Sequence, residues 1–186
     1  MHVLGSEPYP WPYDGADVAS WAVLAIASAG SAGGGLAGRA AARVAAAARG
    51  AGCPVVHVDV GTAPAGPPRA GAVPDGPPPV VEPGDVTVAA PGWNGFDGSP
   101  LDAVLRRLGR TTLLVTGRWL ETGVHSTLRA ANDRGYECAT VADACEPWDA
   151  ALAPAALSSI RFSGGIFGAV VATGPVVAAL GGVPHS

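Results

Sequence analysis

Glu121 and His125 bracket a junction, "RWLETGVHST", between an apolar run, "TTLLVTG", and a run with helical spacing, "HSTLRAANDRG". A carboxyl in an apolar crevice is pushed toward its neutral form, and an imidazole titrates near neutrality. The two are therefore a candidate general acid and base, one turn apart if both are helical. The plainer reading has Glu121 complementing the helix N-terminus and His125 packed on one side of the helix. Trp93, Phe96 and Trp119 could wall an apolar ligand, with Asn94 and Arg118 as its polar contacts. Against that stand core packing for the rings, a loop cap for Asn94, and a surface position or a Glu121 partner for Arg118. Gly33, Gly35 and Gly38 fit G-x-G-x-x-G, and Asp59 follows at the distance of a ribose-binding acid, so dinucleotide binding is a competing expectation. His57 and Asp59 lack further ligands at metal spacing, so neither a metal nor a cofactor is expected.

All eleven basic residues in the Lys+Arg total of 11 are arginines. Any mechanism needing a lysine ammonium from this chain is thereby excluded. The charge of −4 gives no electrostatic reason to expect nucleic acid or an anionic membrane as a partner. No apolar stretch is long enough to span a bilayer, and the start lacks a signal-peptide pattern. Cys53, Cys138 and Cys145 are odd in number and lack zinc spacing, which suits a cytoplasmic protein with free thiols.

The elements that must position these groups alternate along the 186 residues, which suit a single domain spanning 1–186. Residues 1–19, rich in aromatics and proline, read as an extended arm. Strands are expected at 20–27, 53–60, 85–90, 111–116, 136–143 and 165–173. Helices are expected at 37–52, 99–109 (Ser99 as cap), 124–134, 148–161 (interrupted by Pro154) and 174–180. Residues 61–84, rich in proline and glycine, read as an irregular loop. The strands are continuous apolar runs, which predicts a three-layer α/β/α fold with a mainly parallel sheet of about six strands. Sites in such sheets lie at the carboxyl ends of the strands, near Ala27, Asp59, Ala90 to Phe96, and Arg118 to Gly123.

The stretches "PYPWPYDG", "PLDAVLRRLGRTTLLVTG", "VHSTLRAANDRGYEC", "VADAC" and "GGIFGAVVAT" resemble the isochorismatase-like hydrolases, the cysteine hydrolase superfamily. The likeness is greatest to the biuret and ureidoacrylate amidohydrolase-like branch. It implies a site of aspartate, lysine and cysteine. Where the family pattern runs like "VIDMQ", this chain has "LAIASAG", which places Ala27 at the aspartate. Where it runs like "KPGKGSF", "APGWNGF" places Ala90 at the lysine. Where it runs like "TTDVCVHTT", "WLETGVHST" places Gly123 at the cysteine. True isochorismatases also have glycine at the cysteine position but keep the aspartate. The resemblance thus implies a degenerate triad and no cysteine-dependent amide hydrolysis, and it implies self-association as a dimer or tetramer. The leading expectation is a repurposed enzyme acting on a small organic molecule, with specialised metabolism as its setting. The reaction would be a non-covalent cyclisation, isomerisation, elimination or dehydration helped by one acid–base residue. The alternatives are a non-catalytic protein binding a ligand or partner, residual hydrolysis by another route, and dinucleotide binding.

Overall fold

In a computed structural model, the structure describes residues 1–28, 35–61 and 80–182. Those residues form six strands: β1 (Trp21–Ser28), β2 (Val55–Val60), β3 (Val86–Ala89), β4 (Thr112–Arg118), β5 (Glu137–Glu146) and β6 (Ala169–Val171). Five α-helices accompany them: α1 (Gly35–Gly50), α2 (Leu101–Arg107), α3 (His125–Asp133), α4 (Ala153–Gly165) and α5 (Thr173–Gly181). The sheet order is β3-β2-β1-β4-β5-β6, and every pairing is parallel. Central strands buried on both faces account for the continuous apolar runs.

Side chains alternate across β1. Ala22, Leu24 and Ile26 enter one core with Leu101 and Leu105 of α2, Leu128 of α3 and Ile160 of α4. Trp21 and Val23 enter the opposite core with Val44 and Ala48 of α1 and Val176 and Leu180 of α5. The expected three-layer architecture is thus present. The arm folds back on itself through a Val3–Trp11 bridge, and Trp11 stacks on Trp21 at 4.9 Å between ring centroids. Glu7 and Val170 exchange backbone hydrogen bonds of 3.0 and 2.7 Å, so the arm also covers the β6 edge, which would otherwise present unpaired groups.

Two local expectations change. Pro154 lies in the first turn of α4, where it lacks only an N–H that would be unpaired anyway, so it opens the helix instead of interrupting it. α4 departs from helical geometry at Phe162–Gly164. The helix expected at 124–134 is preceded by a π-helical turn, Leu120–Val124, that carries Glu121 and Gly123. α2 begins at Leu101, with its N–H donating to Ser99 Oγ at 3.2 Å.

Candidate functional site

The parallel strands end on one side of the molecule, where Ala27 and Asp59 are register partners on β1 and β2. Gly123 sits in the π-helical turn beyond β4. A Cβ at that position would lie 3.0 Å from Arg118 O, 3.0 Å from Val60 Cγ2 and 3.3 Å from Ile26 Cγ2. Those distances are tighter than ordinary van der Waals contact, so a side chain there would have to push its neighbours aside by a few tenths of an ångström. Ile26, Val60, Ala90, Leu120 and Val124 all belong to the core on the α2–α4 side. Ala90 is fully buried, and its N–H donates to Asp59 O at 2.8 Å. The point on the sheet that faces Gly123 is therefore packed with hydrocarbon.

From β1 the Ile26 side chain faces Gly123, and the Ala27 side chain is on the α1 side, where both residues line a cavity. Adjacent residues of a strand point to opposite faces. Neither of the two carries a carboxylate, so β1 itself offers no acid in either register; the carboxyl beside Ala27 belongs to its register partner Asp59 on β2.

That cavity, of about 440 Å³, separates α1 from β1, β2 and β4 and is within the usual range for small-molecule sites. Its origin is legible in residue size. Ala37, Ala41 and Ala45 recur at helical spacing on α1, and Ala25 and Ala27 face them from β1. Alanine ends at Cβ, so the two elements cannot close the space between them.

The polar groups on this cavity are ordered by ion pairs. Arg49 grips Asp85 through both carboxylate oxygens, with Nε to Oδ1 at 3.0 Å and Nη2 to Oδ2 at 2.6 Å. His57 Nε2 meets the same Oδ2 at 2.8 Å, and Glu82 N–H donates to it at 3.0 Å. The Arg49 hydrogen bonds, aided by these two groups, hold the Asp85 carboxyl well below the ordinary carboxylate range against the opposing effect of burial. His57 is 5% exposed, and its Nδ1 is buried without a partner. Arg118 is also committed, contacting Glu146 Oε2 through Nε at 2.7 Å and Nη2 at 2.6 Å. Its expected partner Glu121 is engaged elsewhere.

Glu121 accepts the N–H groups of Trp148 and Asp149 at 2.8 and 3.2 Å, tying the loop after β5 to the π-helical turn. His125 shares a shallow groove of about 270 Å³ with it, together with Leu152, Ala155, Ala156 and Ser159. The structure thus brings the two candidate acid–base residues to one groove, with the carboxylate committed to backbone donors. Arg129 Nε donates to His125 Nδ1 at 3.2 Å. Burial, and then the nearby Arg129 charge, lower the His125 pKa.

The aromatic candidates do not line the large cavity. Phe96 is buried against Tyr136 at 5.8 Å, and Trp119 packs edge-on against Trp148 at 5.0 Å. Trp93 joins the α2–α4 core and lies against Gly61. Asn94 Oδ1 accepts the Phe96 N–H at 3.0 Å, a loop cap. Of the glycine motif, Gly35 and Gly38 lie in α1, and Gly33 is outside the described residues. Asp59, its expected ribose partner, has a buried Oδ1 without a partner, and burial raises its carboxyl pKa.

The sequence profile of the isochorismatase domain matches residues 31–174, more than half of the chain. The chain belongs to the isochorismatase family. Over 63 residues, 34% of this isochorismatase-family chain, it is 44% identical to the ureidoacrylate amidohydrolase RutB of Methylobacterium radiotolerans. That stretch spans only 24% of the relative's length. A stretch of 64 residues is 41% identical to the isochorismatase family protein YwoC of Bacillus subtilis, covering 34% of each chain. An isochorismatase family protein from Burkholderia thailandensis superposes with a TM-score of 0.71 at 28% identity, over 87% of this chain and 96% of that one. A cysteine hydrolase from Pseudomonas syringae pv. phaseolicola shares the fold, with a TM-score of 0.72 at 18% identity over 91% and 96% of the two chains.

Sequence reasoning does not pair His57 with Asp85. In the sequence His57 is weighed only as a metal ligand and set aside for want of further ligands, and Asp85 lies 28 residues away at the far side of a proline-rich segment. The signal is a histidine inside an otherwise apolar strand, "CPVVHVDV", which needs a buried hydrogen-bond partner.

Proposed function

We propose that this isochorismatase-family protein has left the family's covalent hydrolysis behind and acts on a small organic molecule held in the alanine-lined cavity beside α1. The supporting observation is the pairing of a packed Gly123 with an open volume on the opposite face of the sheet. Ala27, Ala90 and Gly123 are read as the degenerate aspartate, lysine and cysteine positions. The Cβ of a nucleophilic side chain at 123 would crowd the Arg118 carbonyl and the Val60 and Ile26 methyl groups. What remains for catalysis is shape and acid–base help, the requirements of an isomerisation, cyclisation, elimination or dehydration.

A second reading, a non-catalytic binding protein, is favoured by the state of Glu121, whose carboxylate is held by two backbone N–H groups. Both readings place the ligand in the same cavity. Ala42 lines it from the exposed side of α1, so Ala42→Leu fills the space without touching the core. Small-molecule binding by the parent protein should fall at least tenfold in this variant at an unchanged melting temperature. Undiminished binding would place the ligand elsewhere. Conversion of the bound molecule, tracked by mass spectrometry, separates the enzyme from the binding protein.

A further inference from the structure

We infer that Asp85 is a positioning residue that sets the charge preference of the cavity: it occupies the donor face of Arg49 that an anion would use, and so turns the site toward uncharged ligands. This rests on the cavity as the ligand site and adds the class of ligand it takes. Arg49 follows Ala37, Ala41 and Ala45 at four-residue spacing, so its side chain leaves α1 on the face that lines the cavity. That side chain is 29% exposed and thus within reach of a ligand. An arginine on an otherwise apolar wall is well suited to hold a carboxylate. Here the carboxylate comes from the chain itself. Asp85 Oδ1 and Oδ2 accept from Arg49 Nε and Nη2 at 3.0 and 2.6 Å, the two-pronged geometry that an anionic ligand would need. Asp85 is held in turn by His57 Nε2 and the Glu82 N–H, and its side chain is 3% exposed. The grip is therefore built into the fold, unlike a surface pair that solvent makes and breaks.

Among the described residues, the lining of the cavity holds two arginines, and the second is committed in the same way. Arg118 and Glu146 are register partners on β4 and β5, and Glu146 Oε2 accepts from Arg118 Nε and Nη2 at 2.7 and 2.6 Å. Glu82 adds a further carboxylate to the lining. An anion entering the cavity would have to break one of these pairs before making its own. An uncharged ligand meets no such cost, and the alanine walls offer it apolar surface.

The test is calorimetric titration of the full chain at neutral pH with 2-naphthol and 2-naphthoate, which share a ring system and differ in charge. The parent should bind 2-naphthol at one site per chain and 2-naphthoate about tenfold or more weakly. Asp85→Asn keeps the shape and releases Arg49, so the ratio of 2-naphthoate to 2-naphthol affinity should rise by about tenfold or more. A merely structural loss would weaken both ligands together and leave the ratio in place. Adding Arg49→Gln to Asp85→Asn removes the released cation and should return the ratio to the parent value. If Asp85→Asn fails to fold, NMR of the arginine Nε–H groups of the parent decides. The Arg49 signal should hold its place as 2-naphthoate is added, and a shift would show a guanidinium free to meet an anion. That shift, a parent that prefers 2-naphthoate, or a ratio that Asp85→Asn leaves unchanged would overturn the Asp85 inference and leave the cavity reading standing. 2-Naphthol binding that Ala42→Leu leaves untouched would overturn the cavity reading itself. Failure of both probes to bind the parent would overturn both.

Discussion

Placing a cysteine at position 123 restores the side chain that the resemblance assigns to the nucleophile, and the packing around it forecasts a loss of stability without a gain in reactivity. The new Cβ would lie 3.0 Å from the Arg118 carbonyl oxygen, 3.0 Å from Val60 Cγ2 and 3.3 Å from Ile26 Cγ2. These are tight contacts, and none of the three partners is a flexible surface chain. Val60 and Ile26 are 0% and 3% exposed on neighbouring strands, and the third contact is backbone. Forcing atoms into such a core costs about 1–3 kcal/mol. Replacing glycine in a helical turn recovers only a few tenths of a kcal/mol, because cysteine is itself a modest helix former. Gly123→Cys should therefore lose about 1–2 kcal/mol net, a melting temperature lower by roughly 2–8 °C for a chain of this size. The parent thiols provide a quiet background for a labelling assay. Cys53, Cys138 and Cys145 are buried, and burial pushes the Cys53 and Cys145 thiols up to about 12. A maleimide counted by mass spectrometry should therefore label Gly123→Cys no faster than the parent under native conditions. Adding Val60→Ala should make the double variant less destabilised than the sum of the two single changes, the signature of a shared contact. A Gly123→Cys protein that melts with the parent and reacts as an exposed thiol would show that position 123 opens onto a pocket, and the packing argument would fail.

Two further predictions concern the ordering of the site. Asp85 is held below its ordinary pKa by the Arg49 hydrogen bond first, so its contribution to stability is present above about pH 4 and is lost as pH falls below that value. Asp85→Asn should accordingly melt well below the parent at pH 7, with a gap that narrows at pH 3; a gap independent of pH would refute the linkage. Glu121→Ala removes the acceptor of the Trp148 and Asp149 N–H groups and should lower the melting temperature by roughly 1–6 °C while leaving ligand binding intact. Loss of binding at unchanged stability would return Glu121 to the functional site.

The layers and the sheet are legible in the sequence because burial on both faces writes strands as unbroken apolar runs, as in "TTLLVTG" and "CPVVHVDV". The π-helical turn is not legible, since one extra residue in a turn leaves no mark on hydrophobic spacing. Pro154 misleads because a proline opening a helix and one breaking it look alike until the boundary is known. Ala27, Ala90 and Gly123 can be named from the resemblance, but only the coordinates show that Val60 and Ile26 crowd the space beside Gly123. The cavity is hidden for a related reason. Ala37, Ala41 and Ala45 read as good helix formers, and nothing in "AGRAAARVAAAARG" says that β1 answers them with alanines of its own. His57 and Asp85 are hidden by distance along the chain.

The most direct measurement is the crystallographic position of 2-naphthol bound to the parent protein. The ring should lie in the alanine-lined cavity between Ala42 and His57, leaving Ile26 and Val60 packed against Gly123. Density for the ring lodged between Gly123, Ile26 and Val60, with those side chains displaced, would show the space beside Gly123 open to ligands and would contradict the proposed placement of the ligand in the alanine-lined cavity.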